Sequence, residues 1–196
     1  MTPAQKPSRD SQVEPDDLKV GRRVLKVEGG ALLKLEQTLG EGFVSAIEKL
    51  SCVSGRVVVT GMGKSGHIAR KLAATLASTG TPALFVHPAE ASHGDLGMLT
   101  RQDAVLALSN SGETAELGDI VQYTRRFNIP LITIVGRENT SLGDKSDVTI
   151  VLPDYPEACP MGLAPTTSTT MALALGDAIA VALLERASFS SSNFQE

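Results

Sequence analysis

Three groups of residues in this chain have the types and spacing to act on an anion. The stretch Val57 to His67, VVVTGMGKSGH, places glycines at 61, 63 and 66 between a β-branched run and a helix-like run, the spacing of a dinucleotide-binding turn. Gly63-Lys64-Ser65 also matches the end of a P-loop, but that motif requires glycine at position 58, which is Val58. A dinucleotide site wants a carboxylate at the end of the next strand to hold the ribose. Here that strand ends at His87 and Pro88, which leaves only Glu90 nearby for the role. Lys64 falls at a helix start, against the positive end of the macrodipole. It is either a solvated charge or the partner of a bound anion.

The second group, Ser109-Asn110-Ser111-Gly112-Glu113-Thr114, follows a strand and opens a helix, so free backbone N–H groups and three hydroxyls converge there. N-capping needs only one hydroxyl. Three hydroxyls and a glycine, next to a second glycine-rich loop, favour a phosphate site. The third group is Glu157 to Thr170, EACPMGLAPTTSTT, which offers a carboxylate, a thiol and a hydroxyl cluster. On its own the hydroxyl cluster reads as a helix cap and Cys159 as a small buried residue. Both become ligand-facing only if the loop folds over the sheet edge. Ala91-Ser92-His93-Gly94-Asp95 adds a histidine in a crossover, while His67 and His87 read as structural.

The elements that must position these groups alternate along the chain. Val20, Val24, Val27, Ala31 and Leu35 recur at helical spacing from Asp16, and Gly40 and Gly42 separate a shorter helix holding Phe43, Ile47 and Leu50. Strands are predicted at 56–60, 83–87, 104–109, 131–135 and 148–152. Helices are predicted at 65–78, with a small-residue face of Ala69, Ala73 and Ala77, and at 115–127; a short one is placed near Ser141. A loop over 153–165 leads to a last helix, 167–186, apolar on nearly every face, which reads as core or subunit interface. Strand–helix alternation means a parallel sheet. The expectation is an α/β fold, a three-layer αβα sandwich on a five-stranded parallel sheet, with ligands beyond the carboxyl ends of the strands.

Composition narrows the function. The 196 residues suit one domain, read as a flexible N-terminal tail over 1–15, a folded unit over 16–188 and a C-terminal tail over 189–196. A formal net charge of −4 with no long basic run argues against nucleic acid or anionic membrane as the main partner. The two cysteines, Cys52 and Cys159, form neither a disulfide framework nor a zinc or redox pair, which suits the cytoplasm. MTPAQKPSRD has no apolar h-region. The apolar stretch 171–184 carries Asp177 and is shorter than a bilayer-spanning helix.

GMGKSGHIARKLAATLASTGTP, HPAEASHGDLGM, SNSGET and EACPMGLAPTTSTT together resemble the sugar isomerase (SIS) domain of the arabinose-5-phosphate isomerases, the KpsF/GutQ family, from about Leu18 to Arg186. The resemblance implies a flavodoxin-like sandwich, assembled as a homotetramer with active sites between subunits. It implies that Ser109, Ser111 and Thr114, with Ser65 nearby, hold a sugar phosphate, and that Lys64, His93, Glu116 and Glu157 line the reacting end. It also implies interconversion of D-ribulose 5-phosphate and D-arabinose 5-phosphate, feeding Kdo and lipopolysaccharide or capsule synthesis. That reaction moves a proton between adjacent carbons through an enediol and needs no redox cofactor; the residue spacing suggests no metal.

Two departures accompany the resemblance. Family members carry a His-Pro-Gly-Gly stretch after the last helix and often a pair of CBS domains, and neither stands in this chain. The expectation is a truncated product or a shortened relative, with weakened turnover. SIS domains also serve as sugar-phosphate sensors without catalysis. The surplus of ionisable groups at Lys64, His93, Glu116 and Glu157 favours the enzyme, because a sensor needs only the hydroxyl cradle.

Overall fold

The computed structural model describes residues 15–187; the tails assigned to 1–15 and 189–196 lie outside them, Pro15 excepted. Helix α1 (Asp16–Thr38) opens with Asp16 and Asp17 in its first turn, where negative charge suits the macrodipole. Helix α2 (Glu41–Ser51) follows. Then come β1 (Val57–Gly61), α3 (Gly63–Ser78), β2 (Ala83–Val86), α4 (Pro88–Ser92), β3 (Ala104–Ser109), α5 (Gly118–Phe127), β4 (Leu131–Val135), β5 (Val148–Val151) and α6 (Thr167–Arg186). All strand pairs are parallel, in the order β2-β1-β3-β4-β5. This is the doubly wound arrangement, whose chain direction switches between β1 and β3.

Side chains alternate between the two faces of the sheet. Val57, Val59, Leu106, Leu108, Ile132 and Ile134 face the layer built from α1, α2, α3 and α6. Val58, Val105, Ala107, Leu131 and Val135 face the layer that holds α5. Burial on both faces explains why the central strands are apolar runs rather than alternating ones. Register is thereby fixed, since a slip of one residue would exchange the two cores.

Three local expectations are corrected. Ala69 and Ala73 are buried on α3, but Ala77 is exposed and Leu72 and Leu76 complete the packed face. A four-residue step advances about 400° around the helix, so the third alanine has drifted off the stripe. The helix expected from 115 begins as a 3-10 turn, Ala115–Leu117, before α5 proper. Ser141 sits in a turn, and the short helical piece there is a 3-10 turn at Gly143–Lys145. Helix α6 spans 20 residues and, by length and composition, is apolar enough to cross a membrane. Its Met171, Leu175, Ile179 and Leu183 are buried against the sheet-facing core, and Leu72 of α3 presses on Gly176.

Candidate functional site

The switch point between β1 and β3 brings the first two chemical groups together. Gly63 takes a left-handed φ of +57° to turn the chain from β1 into α3, a conformation that costs little only for glycine. A Cβ on Gly66 would lie 2.6 Å from the Gly61 carbonyl oxygen, so its absence lets the helix sit directly on the strand end. Lys64 and Ser65 are then placed in the first turn of α3. Among the described residues no carboxylate pairs with Lys64.

The loop after β3 closes on itself. The hydroxyls of Ser109 and Thr114 are 2.8 Å apart, the Gly112 N–H donates to Ser109 Oγ at 3.0 Å, and the Glu113 N–H donates to Ser111 Oγ at 3.2 Å. Gly112 has φ +68°. The segment after β4 braces this loop from outside. The Gly136 N–H donates to the Asn110 carbonyl at 3.0 Å, Arg137 Nε donates to the Ser111 carbonyl at 3.1 Å, and the Leu142 N–H donates to the Gly112 carbonyl at 3.1 Å. Ser141 donates its backbone N–H and hydroxyl to the Glu113 carboxylate at 3.0 and 2.5 Å. The Ser141 hydroxyl and N–H hold that carboxyl below its ordinary range. Glu113 is therefore an anchor for the loop.

The third group is organised by the start of α6. Glu157 Oε2 accepts from the Thr166 N–H at 2.7 Å, the Thr166 hydroxyl at 3.0 Å and the Ser168 N–H at 3.3 Å. It occupies the place of a capping carboxylate. Burial pushes its pKa up, but donors on Ser168 and Thr166 outweigh that and leave it lowered. The loop carrying Glu157 is tied to α1 by Arg23 Nη1, which donates to the Ala158 carbonyl at 2.9 Å. Tyr155 packs so tightly on Gly30 that a Cβ there would overlap its hydroxyl. Cys159 is half-buried, and backbone N–H groups from Ala164, Met161 and their neighbours pull its thiol below the usual range.

A cavity of about 260 Å³ opens where these elements meet. Lys64, Ser65, Ser109, Ser111 and Thr114 line it, together with Asn110 and the first turn of α6 at Ser168 and Thr169. Met62, Ile68, Leu108 and Ile134 supply its apolar wall. Glu157 stands behind the α6 turn, outside the lining. Glu116 is exposed in the 3-10 turn after the cradle, and His93 is exposed at the end of α4, both also outside the lining. His87 caps α4, its Nδ1 accepting the Ala89 N–H at 3.3 Å. Sequence reasoning missed Asn110, Ser168 and Thr169 as individual site residues, although each lies inside one of the quoted motifs. Arg137 and Ser141 carry no signal, because their bonds to the cradle join residues more than 20 apart.

The arrangement is a polar cradle with a lysine that no carboxylate pairs among the described residues, backed by an ionised carboxylate at a helix start. It suits a small phosphorylated ligand. The chain is 51% identical over 179 residues to the arabinose 5-phosphate isomerase KdsD of Escherichia coli (strain K12), covering 91% of this chain and 55% of that protein. It is 50% identical over 179 residues to the KdsD of Pseudomonas aeruginosa, with the same coverage. It thus spans about half the length of the curated relatives it matches. The structure of the E. coli CFT073 protein c3406, bound to arabinose 5-phosphate, superposes with a TM-score of 0.89 at 40% identity, covering 93% of this chain and 98% of that one. Residues 49–182 match the SIS domain family. With its doubly wound sheet and its hydroxyl cradle at the switch point, the chain belongs to the SIS domain family.

Proposed function

We propose that the protein is an aldose–ketose isomerase interconverting D-arabinose 5-phosphate and D-ribulose 5-phosphate. The observation that carries this reading is the convergence of Ser65, Ser109, Ser111 and Thr114 with Lys64 on one cavity, in a chain half identical to arabinose 5-phosphate isomerases. The hydroxyls and the backbone N–H groups of the cradle hold the phosphate. A base then removes the proton from the carbon beside the carbonyl while the carbonyl oxygen gains one, giving an enediol. Return of a proton to the other carbon, with loss of the neighbouring hydroxyl proton, gives the isomer. Atoms and electrons balance without a redox partner.

Glu157 is one candidate base: it is held at the start of α6 behind the cavity lining, and its lowered pKa leaves it ionised but a weaker proton acceptor than an ordinary carboxylate. Glu116 is the alternative carboxylate. Lys64 places positive charge where the enediolate oxygen develops, and His93 serves as acid–base partner. The protein acts in the cytoplasm as a homotetramer, its product feeding Kdo and lipopolysaccharide synthesis. Support for assembly comes from the apolar residues that α1 leaves exposed, Leu18, Val20, Leu25 and Leu33.

The test is to incubate the chain with arabinose 5-phosphate, without cofactor, and follow ribulose 5-phosphate. Formation of the ketose supports the isomerase. Slow conversion is consistent with the isomerase, whereas tight binding with no ketose formed even at high protein concentration and long incubation would make this a sugar-phosphate sensor instead.

A further inference from the structure

Ser168 stands in the first turn of α6 with 8% of its surface exposed, and its hydroxyl oxygen is buried without a hydrogen-bond partner. Among the described residues it is the one buried side-chain polar atom in that condition. Thr166 and Thr167, its neighbours, both engage the Ala158 N–H, at 3.0 Å each, and Thr169 donates to the Thr166 carbonyl at 2.8 Å. A buried hydroxyl left unsatisfied costs about 1–3 kcal/mol, and such groups in folded proteins call for an explanation. Helix capping does not supply one here, because the Glu157 carboxylate already performs it, accepting the Thr166 and Ser168 N–H groups. The hydroxyl lies close enough to the Glu157 carboxylate to favour its charge, yet the two are not in hydrogen-bonding geometry.

Ser168 also lines the cavity, which Glu157 does not. We infer that the Ser168 hydroxyl binds a hydroxyl of the sugar chain at the end remote from the phosphate, and so holds the reacting carbons against the Glu157 side of the cavity. This rests on the sugar-phosphate reading of the cradle. The remote end is indicated by position. The phosphate-holding hydroxyls come from the loops after β1 and β3, whereas Ser168 belongs to the helix whose start binds Glu157, its own N–H 3.3 Å from Oε2. The N-terminal dipole of a 20-residue helix also favours an oxygen that gains negative charge.

The experiment compares Ser168→Ala with Ser111→Ala in the full chain. Calorimetric titration with arabinose 5-phosphate and with inorganic phosphate gives the affinities, and thermal unfolding gives the stability. One net hydrogen bond corresponds to a factor of about three to ten. Ser168→Ala is expected to weaken the sugar phosphate by that factor, leave inorganic phosphate unchanged, and leave the unfolding temperature unchanged or higher, because an unsatisfied group has been removed. Ser111→Ala is expected to weaken both ligands. Unchanged sugar-phosphate affinity in Ser168→Ala, with Ser111→Ala weakened, overturns the inference and leaves the cradle standing. A lowered unfolding temperature with unchanged affinity also overturns it, making the hydroxyl an internal partner of Glu157. Failure of the unsubstituted chain to bind arabinose 5-phosphate removes the cradle reading and this inference together.

Discussion

Gly112→Ala tests how much of the cradle is held by backbone geometry. The residue sits at φ +68°, and a Cβ there would lie 2.5 Å from both Thr140 Cγ2 and Thr140 Oγ1. Thr140 cannot move aside cheaply: it is 1% exposed and its Oγ1 accepts the Gly143 N–H at 3.1 Å. The left-handed conformation costs a non-glycine residue about 1–2 kcal/mol, and overpacking a filled site about 1–3 kcal/mol. The sum is about 2–5 kcal/mol. At about 2–4 °C per kcal/mol for a chain of this size, the unfolding temperature should fall by roughly 4–20 °C.

Urea titration at fixed protein concentration measures the loss, and a double-mutant cycle assigns it. In a Thr140→Gly background the steric part vanishes while the φ part remains, so the two substitutions should couple by about 1–3 kcal/mol. Surviving Gly112→Ala protein should also bind sugar phosphate less well, because the Gly112 N–H that orients Ser109 Oγ is displaced. Costs that add within about 0.5 kcal/mol would refute the steric argument. A stable variant with unchanged affinity would show that the cradle does not depend on this turn.

Other outcomes follow from single contacts. Arg23→Ala removes the tie between α1 and the Ala158 carbonyl; kcat should fall several-fold with little change in KM, and restoration by Arg23→Lys would mark a positioning role. Lys64→Ala should lower kcat more than it raises KM, since charge develops there only in the transition state; a raised KM at constant kcat would move the lysine to the phosphate. Asp147 accepts from Arg125 at 2.7 and 3.2 Å and from the Leu131 N–H at 2.7 Å. Burial raises its pKa, but these donors outweigh that and leave it lowered. Its contribution is therefore complete above the ordinary aspartate value of 3.8 and lost as pH falls through the lower folded value. Asp147→Asn should cost about 1 kcal/mol at pH 7, with the difference shrinking in acid.

The fold was legible because its signals are local and repeated. Each β-branched run ends in turn residues, and β1 and β3 fell within a residue of the expected bounds. The cradle was legible for the same reason, since Ser109, Ser111 and Thr114 lie within six residues. What escaped depends on distant pairing. Nothing near Ser141 announces that it holds Glu113, and nothing near Gly30 announces that Tyr155 packs on it. Glu157 shows the difference most clearly. Its motif marked it as chemically notable, but whether a carboxylate faces a ligand or a helix start depends on where the 153–165 loop folds, and a linear pattern does not encode that.

The placement of His93 and Glu116 leads to the final prediction. Both are exposed beside the carboxyl edge of the sheet, and neither lines the cavity of its own chain. If they act on the sugar, a neighbouring copy must bring them to it or close the cavity over them. The surface next to the site has the character of a contact. Leu25 on α1 is 72% exposed, and on the loop that α1 anchors Met161 and Leu163 are 72% and 79% exposed. Exposure of several large apolar side chains on α1 and the loop tied to it is costly for a monomer and normal for a subunit boundary. Activity per chain should therefore be constant at micromolar concentration and fall on dilution through the association range, with light scattering falling in parallel. Leu25→Glu should reduce assembly and turnover together, while the cradle keeps its affinity for inorganic phosphate. A monomer with full kcat would refute this shared-site argument and place the acid–base work within one chain.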